Sequence, residues 1–358
     1  MVRQGVYLSA KKLMDTASGI LRGFGFSEED SRIAAKVLVD TDARGVSSHG
    51  VVALPNYVQQ VKKGGIDPKA QIKIVSESGS VCLMDGCNGL GQLSGAKATL
   101  HAIELAKKFG SSVVSVKNGS HYGAGAYYAM MCAENDMIGI AISNSTPVIG
   151  VPGSKGPAIG NNPISIAAPT ANGTPIVLDM ALSIVAVGKM MNMYKEGKEI
   201  PDGWVFDSEG MPSKDPNDLD RGGSASAFGG YKGYGIAVMA EILSSILPGA
   251  GVAEQLKDWI LYPEEPSRLG YFIMAIDISK MRDVREFKQD VSSFTDGLHN
   301  RPKAVGTDRL LIPGEIENEI MERSEQNGIW IPDHAYAKLV NLAKEVGLEV
   351  EDISSKGD

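Results

Sequence analysis

Cysteine is scarce in this chain: Cys82, Cys87 and Cys132 are the three present among 358 residues. An odd, sparse set builds no disulfide framework and points to a reducing compartment. Long apolar runs are missing too. No stretch reaches the length of a membrane span, and the N-terminal MVRQGVYLSAKKLMD has no apolar core of export-signal length, so a cytoplasmic protein is expected. Positive charge is in deficit, with 35 Lys and Arg against 43 Asp and Glu and a net charge of -8. Without a basic stripe to displace phosphate counterions, a nucleic-acid partner is excluded. The sequence has no GxSxG elbow, no P-loop and no His/Cys/Asp cluster at zinc spacing, so acyl transfer and metal hydrolysis have no foothold and no metal is expected. Internal repeats are lacking as well.

Glycine, by contrast, is abundant. Its 42 residues exceed the usual share of about 7%, and they cluster in loops. The chain is 43% hydrophobic and 22% charged, an ordinary globular balance with length enough for two domains or one large one. Residues 1–66 carry helical periodicity. Leu8–Leu21 breaks at Gly23-Phe24-Gly25, and Ser27 opens a second helix with Asp30 in the capping-box position. Pro55 opens a third helix, which Gly64-Gly65 ends. From Ile72 the texture changes to short strands, IKIVS and SVCLMDG, followed by a helix over Gln92–Phe109. Strands are expected at 111–116, 138–143, 175–181 and 271–278. Helices are expected at 126–135, 184–194, 233–247, 284–294, 313–326 and 332–346. The polar, turn-rich stretch 197–230 reads as surface loops. Helices at both ends around a mixed middle suggest that the termini pack together beside an α/β core. The expected division is 1–70, 71–312 and 313–358.

The stretch from Lys117 to Asn144 organises the rest. An apolar strand runs into a glycine-rich corner, Asn118-Gly-Ser-His121-Tyr-Gly-Ala-Gly125, and a helix follows. His121 thus sits on a loop mounted at a strand end, where catalytic residues concentrate, with the side chain best suited to proton exchange near neutral pH. Taken alone, such a histidine is more often a hydrogen-bonded loop residue. Ser47-Ser48-His49-Gly50 offers two hydroxyls and a second imidazole, or simply a capped helix end. Gly229-Gly230-Tyr231-Lys232-Gly233 opens a helix, where free N–H groups and a lysine suit phosphate or carboxylate. Gly160-Asn161-Asn162-Pro163 brings two carboxamides to a fixed turn, and Asp179 follows an apolar strand. Gly89-Leu-Gly91-Gln-Leu-Ser94-Gly95 nearly matches the dinucleotide fingerprint. Ser94 replaces the third glycine, however, and no acidic residue follows at the required distance, so a plain turn into a helix is the better reading.

Together and in this order, these elements resemble the type-2 malate/lactate dehydrogenase family of NAD(P)-dependent enzymes. That family includes malate, sulfolactate and ureidoglycolate dehydrogenases and diketogulonate reductase. The resemblance covers nearly the whole chain. It rests on TDARGVSSHG (41–50), NGSHYGAGAYYA (118–129), ISNSTP (142–147), IGNNPISIAAP (159–169), VLDMALS (177–183), GGYKGYGIA (229–237) and LIPGE (311–315).

The resemblance implies a non-Rossmann α/β fold with a mixed, largely antiparallel cofactor-binding sheet, a helical region built from both chain ends, and a homodimer with active sites near its interface. It implies that His121 is the acid/base and His49 a second catalytic histidine, with Ser48 and Tyr57 on the substrate side. Ser145, Asn161, Asn162, Asp179, Met180, Ala181, Lys232, Gly314 and Glu315 fall on positions implied to touch the dinucleotide, NAD or NADP. The implied reaction interconverts a small 2-hydroxy acid, malate first and lactate or a related acid next, with its 2-keto acid. Two departures stand out. Ala53 replaces the arginine usual four residues after the first histidine, the best partner for a substrate carboxylate. Asn161 replaces the threonine usual in its motif. The first departure keeps ureidoglycolate oxidation or cyclic imino-acid reduction in view, beside a non-catalytic dinucleotide-binding protein.

Overall fold

Two serines start the chain's first helices by accepting an orphan backbone donor. In the computed structural model, which describes residues 5–185, 190, 193, 194 and 197–348, Ser9 caps α1 (Ala10–Gly23) and Ser27 caps α2 (Glu28–Ala43). The hydroxyl of Ser27 accepts from the N–H of Asp30 at 3.1 Å, and Glu28, Glu29 and Asp30 face the positive end of the helix dipole. Pro55 lies in the first turn of α3 (Leu54–Lys63), and Gly64 ends it in the left-handed conformation at φ +98°.

These helices are completed by the other end of the chain. Gly5–Leu8, expected to lead into a helix, instead forms a strand, β1, that pairs antiparallel with β14 (Ile329–Pro332). Leu13, Ile20, Leu38, Leu54 and Tyr57 share one buried core with Ile329, Ile331 and Leu339. A strand of four residues whose partner lies more than 300 positions away leaves no local periodicity to read.

The remaining strands build two sheets. The large one has seven strands in the order β2-β3-β4-β13-β5-β8-β9. These are β2 (Lys73–Ser78), β3 (Val81–Asp85), β4 (Ser111–Gly119), β5 (Met137–Ser143), β8 (Ile164–Ala168), β9 (Ile176–Met180) and β13 (Leu269–Asp277). Only β3 and β4 run parallel, joined by the crossover helix α4 (Gly91–Phe109); every other pairing is antiparallel. The mixed, largely antiparallel sheet is therefore present. Helix α5 (Gly125–Ala133) packs beside β5 and β8.

The second sheet joins β6 (Pro147–Ile149) and β7 (Ile159–Gly160) to β10 (Val205–Phe206), β11 (Pro212–Ser213) and β12 (Ser224–Ala225). The stretch 197–230 thus carries three two-residue strands rather than loops alone. Val205 and Ala225 are buried with Met190 and Ile200, but apolar residues so far apart make no alternating pattern. The expected helix at 184–194 lies largely outside the described residues. The helix expected over 233–247 runs from Tyr231 to Glu241 and then widens into a π segment at Ile242–Ile246, where Ser244 Oγ bonds back to the carbonyl of Ala240 at 2.7 Å. Among the described residues no helix is long and apolar enough to cross a membrane.

The near-fingerprint Gly89–Gly95 turn serves a different purpose from nucleotide binding. A Cβ at Gly91 would lie 2.4 Å from the carbonyl oxygens of both Ser120 and His121, so backbone fills the space a pyrophosphate would need. The glycine there lets α4 start directly beneath the His121 loop.

Candidate active site

The loop that carries His121 is pinned from several sides. Strand β4 continues past the expected 116 to Gly119, which packs on the Tyr271 ring. Ser120 Oγ donates to the carbonyl of Gly89 at 3.0 Å, Tyr271 donates its hydroxyl to the carbonyl of Ser120, and Tyr128 donates to that of Tyr122 at 2.5 Å. Each bond satisfies a backbone acceptor that a loop in this position would otherwise bury unpaired. The His121 ring is clamped in turn. It stacks on Trp259 with ring centroids 4.5 Å apart and planes 5° from parallel. Its Nδ1 lies 2.6 Å from the hydroxyl of Tyr57, a residue with no exposed surface. Among the described residues Nε2 has no partner, which leaves it as the ring atom available for proton exchange.

His49 approaches from the helical layer. It follows α2 in a short turn held by Asp42, whose Oδ2 accepts the Val51 N–H at 2.7 Å. Burial pushes the Asp42 carboxyl up to about 8, partly offset by that bond. A Cβ at Gly50 would meet Asp42 Oδ1 at 2.1 Å, so the turn closes only over glycine. The Ser48 hydroxyl and His49 Nδ1 are 2.8 Å apart, and the His49 and His121 ring centroids 5.4 Å. Helical layer and sheet thus bring two imidazoles to one cleft.

Burial governs the charges there. Together with the smaller effect of the neighbouring His49, since two imidazoliums would repel, it pushes His121 down to about 3. His49 is also lowered by burial, against the pull of Asp179. Asp179 keeps solvent-accessible surface although protein crowds it on most sides. Desolvation raises its carboxyl, while the Ser165 hydroxyl at 2.6 Å, His49, the Ala126 N–H and Arg44 draw it back. Both histidines are therefore neutral at physiological pH, and His121 is a base with a free lone pair when Nδ1 carries its proton toward Tyr57.

The other expected site residues fall on the turns around Ser145, Asn161 and Lys232, on the end of β9, and at Gly314 and Glu315. Ser145 Oγ bonds the Asn161 side-chain oxygen at 2.9 Å and accepts the Asn161 N–H at 3.1 Å. Asn162 is fully buried and spent internally: its oxygen accepts the Ser145 N–H, and its amide donates to Ala237 O and Glu241 Oε2. It braces the turn. The carbonyl of Asn161 accepts the Leu182 N–H at 2.7 Å, and that of Leu182 the Phe228 N–H at 3.0 Å. These bonds bring the Asp179-Met180-Ala181 segment beside the Gly229-Gly230 turn and Lys232. Lys232 is exposed and has no ion pair among the described residues. Gly314 packs on Val177, at the far end of β9. Glu315 Oε1 pairs with His299 Nε2 at 2.6 Å, and Glu315 lines a cavity of about 370 Å³ with Asn172, Thr174 and Arg309.

Several participants escaped sequence reasoning. Trp259 stands alone in a loop, and no spacing connects it to His121. Gln92 reads only as a helix start. Its buried carboxamide lies against the Tyr57 hydroxyl, yet neither amide atom meets a partner in good geometry. Arg44, buried and bonded to Asn318 Oδ1 at 2.7 Å, is the cation electrostatically coupled to Asp179. Ala53 is 4% exposed and packs in the helical core, so no side chain enters the cleft from that position.

The family model described as malate/L-lactate dehydrogenase matches residues 8–340. The chain is 39% identical to a malate dehydrogenase of Pyrococcus abyssi over 337 residues, 92% of each protein. To an L-sulfolactate dehydrogenase of Methanocaldococcus jannaschii it is 39% identical over 333 residues, 93% of this chain and 95% of that one. The fold is similar to the solved structure of the sulfolactate dehydrogenase from M. jannaschii, with a TM-score of 0.90 and 38% identity over 97% of this chain and 99% of the other.

The charge coupling in the cleft is open to direct measurement. By NMR titration the His121 ring is expected to ionise well below the ordinary 6.5. His49→Ala removes a repelling neighbour and should move that value upward. A His121 titrating near 6.5 in the unaltered protein, or unmoved by the substitution, would contradict this electrostatic picture.

Proposed function

The chain belongs to the malate/L-lactate dehydrogenase family and is a 2-hydroxy acid dehydrogenase, and from that premise we propose that it interconverts malate, with sulfolactate as its chief rival, and the matching 2-keto acid at the His121–His49 cleft. The observation that carries this reading is the clamped imidazole. His121 is held by Tyr57 at 2.6 Å and by the Trp259 face at 4.5 Å, with a second histidine 5.4 Å away.

The residues present suit the nicotinamide dinucleotide that the family implies. Ser145 and Asn161 offer a hydroxyl and a carboxamide. Added Cβ atoms at Gly229 and Gly230 would meet nothing within 4 Å, so their backbone is open to a close-fitting ligand. The helix N-terminus beyond them and Lys232 favour a negative group. These groups lie toward one end of edge strand β9, and Gly314 and Glu315 toward the other, an extent suited to an elongated ligand. NAD is the first choice and NADP the second. When bound, the nicotinamide supplies the hydride acceptor for oxidation and the donor for reduction.

The chain's own residues manage the proton. In oxidation, His121 Nε2 takes the hydroxyl proton; in reduction it returns one to the forming alkoxide. For Nε2 to start with a lone pair, Nδ1 must carry hydrogen and donate it to Tyr57, whose own hydroxyl then points to the Gln92 carboxamide. Tyr57, fully buried, thus positions the imidazole instead of touching substrate. Ser48 and His49 face the same cleft and orient the acid, with Asp179 and Arg44 setting its charge. A second reading follows from Ala53. With no arginine from that position, ureidoglycolate or a cyclic imino acid is the alternative substrate class.

The exposed apolar residues Ile236, Met239, Ile242, Ile246 and Leu247 recur along one helical run, which supports a homodimer closed over this face. Light scattering should give twice the chain mass, and a monomer at micromolar concentration would rule the dimer out. His121→Ala should lower turnover by roughly 10²–10⁴-fold while leaving dinucleotide affinity, read by fluorescence titration with NADH and NADPH, within a small factor. Near-normal turnover would remove His121 from the reaction. Rates on malate, sulfolactate, lactate, ureidoglycolate and cyclic imino acids decide the substrate, and turnover of none would leave a dinucleotide-binding protein.

A further inference from the structure

Far from the cleft, at the opposite edge of the large sheet, three different donor types converge. Glu77 and Cys82 face each other directly across the β2–β3 hairpin. His101 reaches the same spot from α4. One ligand atom of each, a carboxylate oxygen, a thiol sulfur and a ring nitrogen, lies within 4.8 Å of the others. We propose that Glu77, Cys82 and His101 form a site for a divalent zinc-like cation that fastens the edge hairpin to helix α4.

The chemistry of the donors selects the ion class. Sulfur, imidazole and carboxylate together suit Zn²⁺, which binds all three at about 2.0–2.3 Å, whereas hard cations such as Mg²⁺ prefer oxygen alone. Tetrahedral bonds of that length put donors roughly 3.5 Å apart, so the three need only small side-chain adjustments, chiefly an opening of the 2.5 Å His101–Glu77 contact. His101 Nε2 points to Glu77, while its Nδ1 lies 3.7 Å from Glu104 Oε2, one turn along α4. A carboxylate on the non-ligating nitrogen is the outer partner that fixes the ring of metal-bound histidines. Glu77 is exposed, so the fourth position opens to water.

The location gives such an ion a mechanical role. All six residues of β2 are exposed, and Ile74 and Val75 keep about half their surface in solvent, 52% and 49%. As a sheet-edge strand with little packing of its own, β2 gains most from a clip to α4. Zinc spacing in the sequence does not reveal the site, because its ligands meet through a cross-strand pair and a helix instead of a short Cys/His motif.

The test uses the full-length protein, stripped with chelator and titrated with Zn²⁺ and separately with Co²⁺. The expected result is one equivalent bound, a zinc-dependent rise in Tm, and a thiolate-to-cobalt charge-transfer band. That band should vanish in Cys82→Ser and persist in Cys87→Ser, and the catalytic histidines, which have no thiol beside them, cannot produce it. His101→Gln alters a side chain at the helix surface and leaves the core intact, so it serves if Cys82→Ser does not fold. It should weaken zinc binding at least tenfold and abolish the Tm rise. No thiolate band in the unaltered protein, a band surviving Cys82→Ser, or zinc affinity unchanged in His101→Gln would overturn the proposal.

Discussion

The hydrogen bond between a wholly buried tyrosine and one nitrogen of an imidazole is the constraint on which the cleft depends. Tyr57 is mounted on α3 inside the helical core, and His121 on a loop at the end of β4, so this 2.6 Å contact ties two layers together at the imidazole. It fixes the ring's orientation and assigns its two nitrogens different tasks, while Trp259 prevents rotation out of plane. Removing one partner would leave the other buried and unsatisfied, at about 1–3 kcal/mol. The surrounding backbone is arranged to keep that geometry. Gly91 admits α4 under the loop, Tyr271 and Tyr128 hold its carbonyls, and Gly123 passes 3.6 Å from both the Gln92 amide and the His49 carbonyl, measured from where its Cβ would sit.

The electrostatics follow from the same enclosure. Burial and the neighbouring His49 keep His121 uncharged, burial lowers His49 as well, and crowding raises the carboxyl of Asp179 above its ordinary value. A neutral His121 accepts a proton readily only if the incoming charge finds a counterpart. Asp179 is coupled electrostatically to His49, and Arg44 draws that carboxyl back toward its ordinary value. The helical layer and the sheet each contribute one histidine. The layer exists only because both chain ends build it, through the β1–β14 pair and the shared core around Leu38 and Ile331.

Much of this was legible in the sequence, and the reasons differ by element. The helix start at Ser27 and the stop at Gly64 announce themselves through local capping chemistry. Strands β3 to β5 do so through apolar runs bounded by turns. The order of the motifs carried the family and, with it, His121 and His49. What stayed hidden depends on contacts between distant residues. Gly5–Leu8 is a strand only because Ile329–Pro332 lies beside it. Trp259 and Gln92 matter only once folding sets them against His121 and Tyr57, and Asn162 looks like a ligand residue until its side chain is seen to be spent on Ala237 and Glu241. The Glu77, Cys82 and His101 grouping is invisible for the same reason.

In the proposed mechanism Tyr57 acts through His121 and does not touch the substrate. A double-mutant cycle in turnover tests it most directly, comparing Tyr57→Phe in the unaltered protein and in the His121→Ala background. A loss of tenfold or more is expected in the first case and almost none in the second, because the tyrosine has no function once the imidazole is gone. Equal losses in both backgrounds would show that the two residues act independently, and would contradict it.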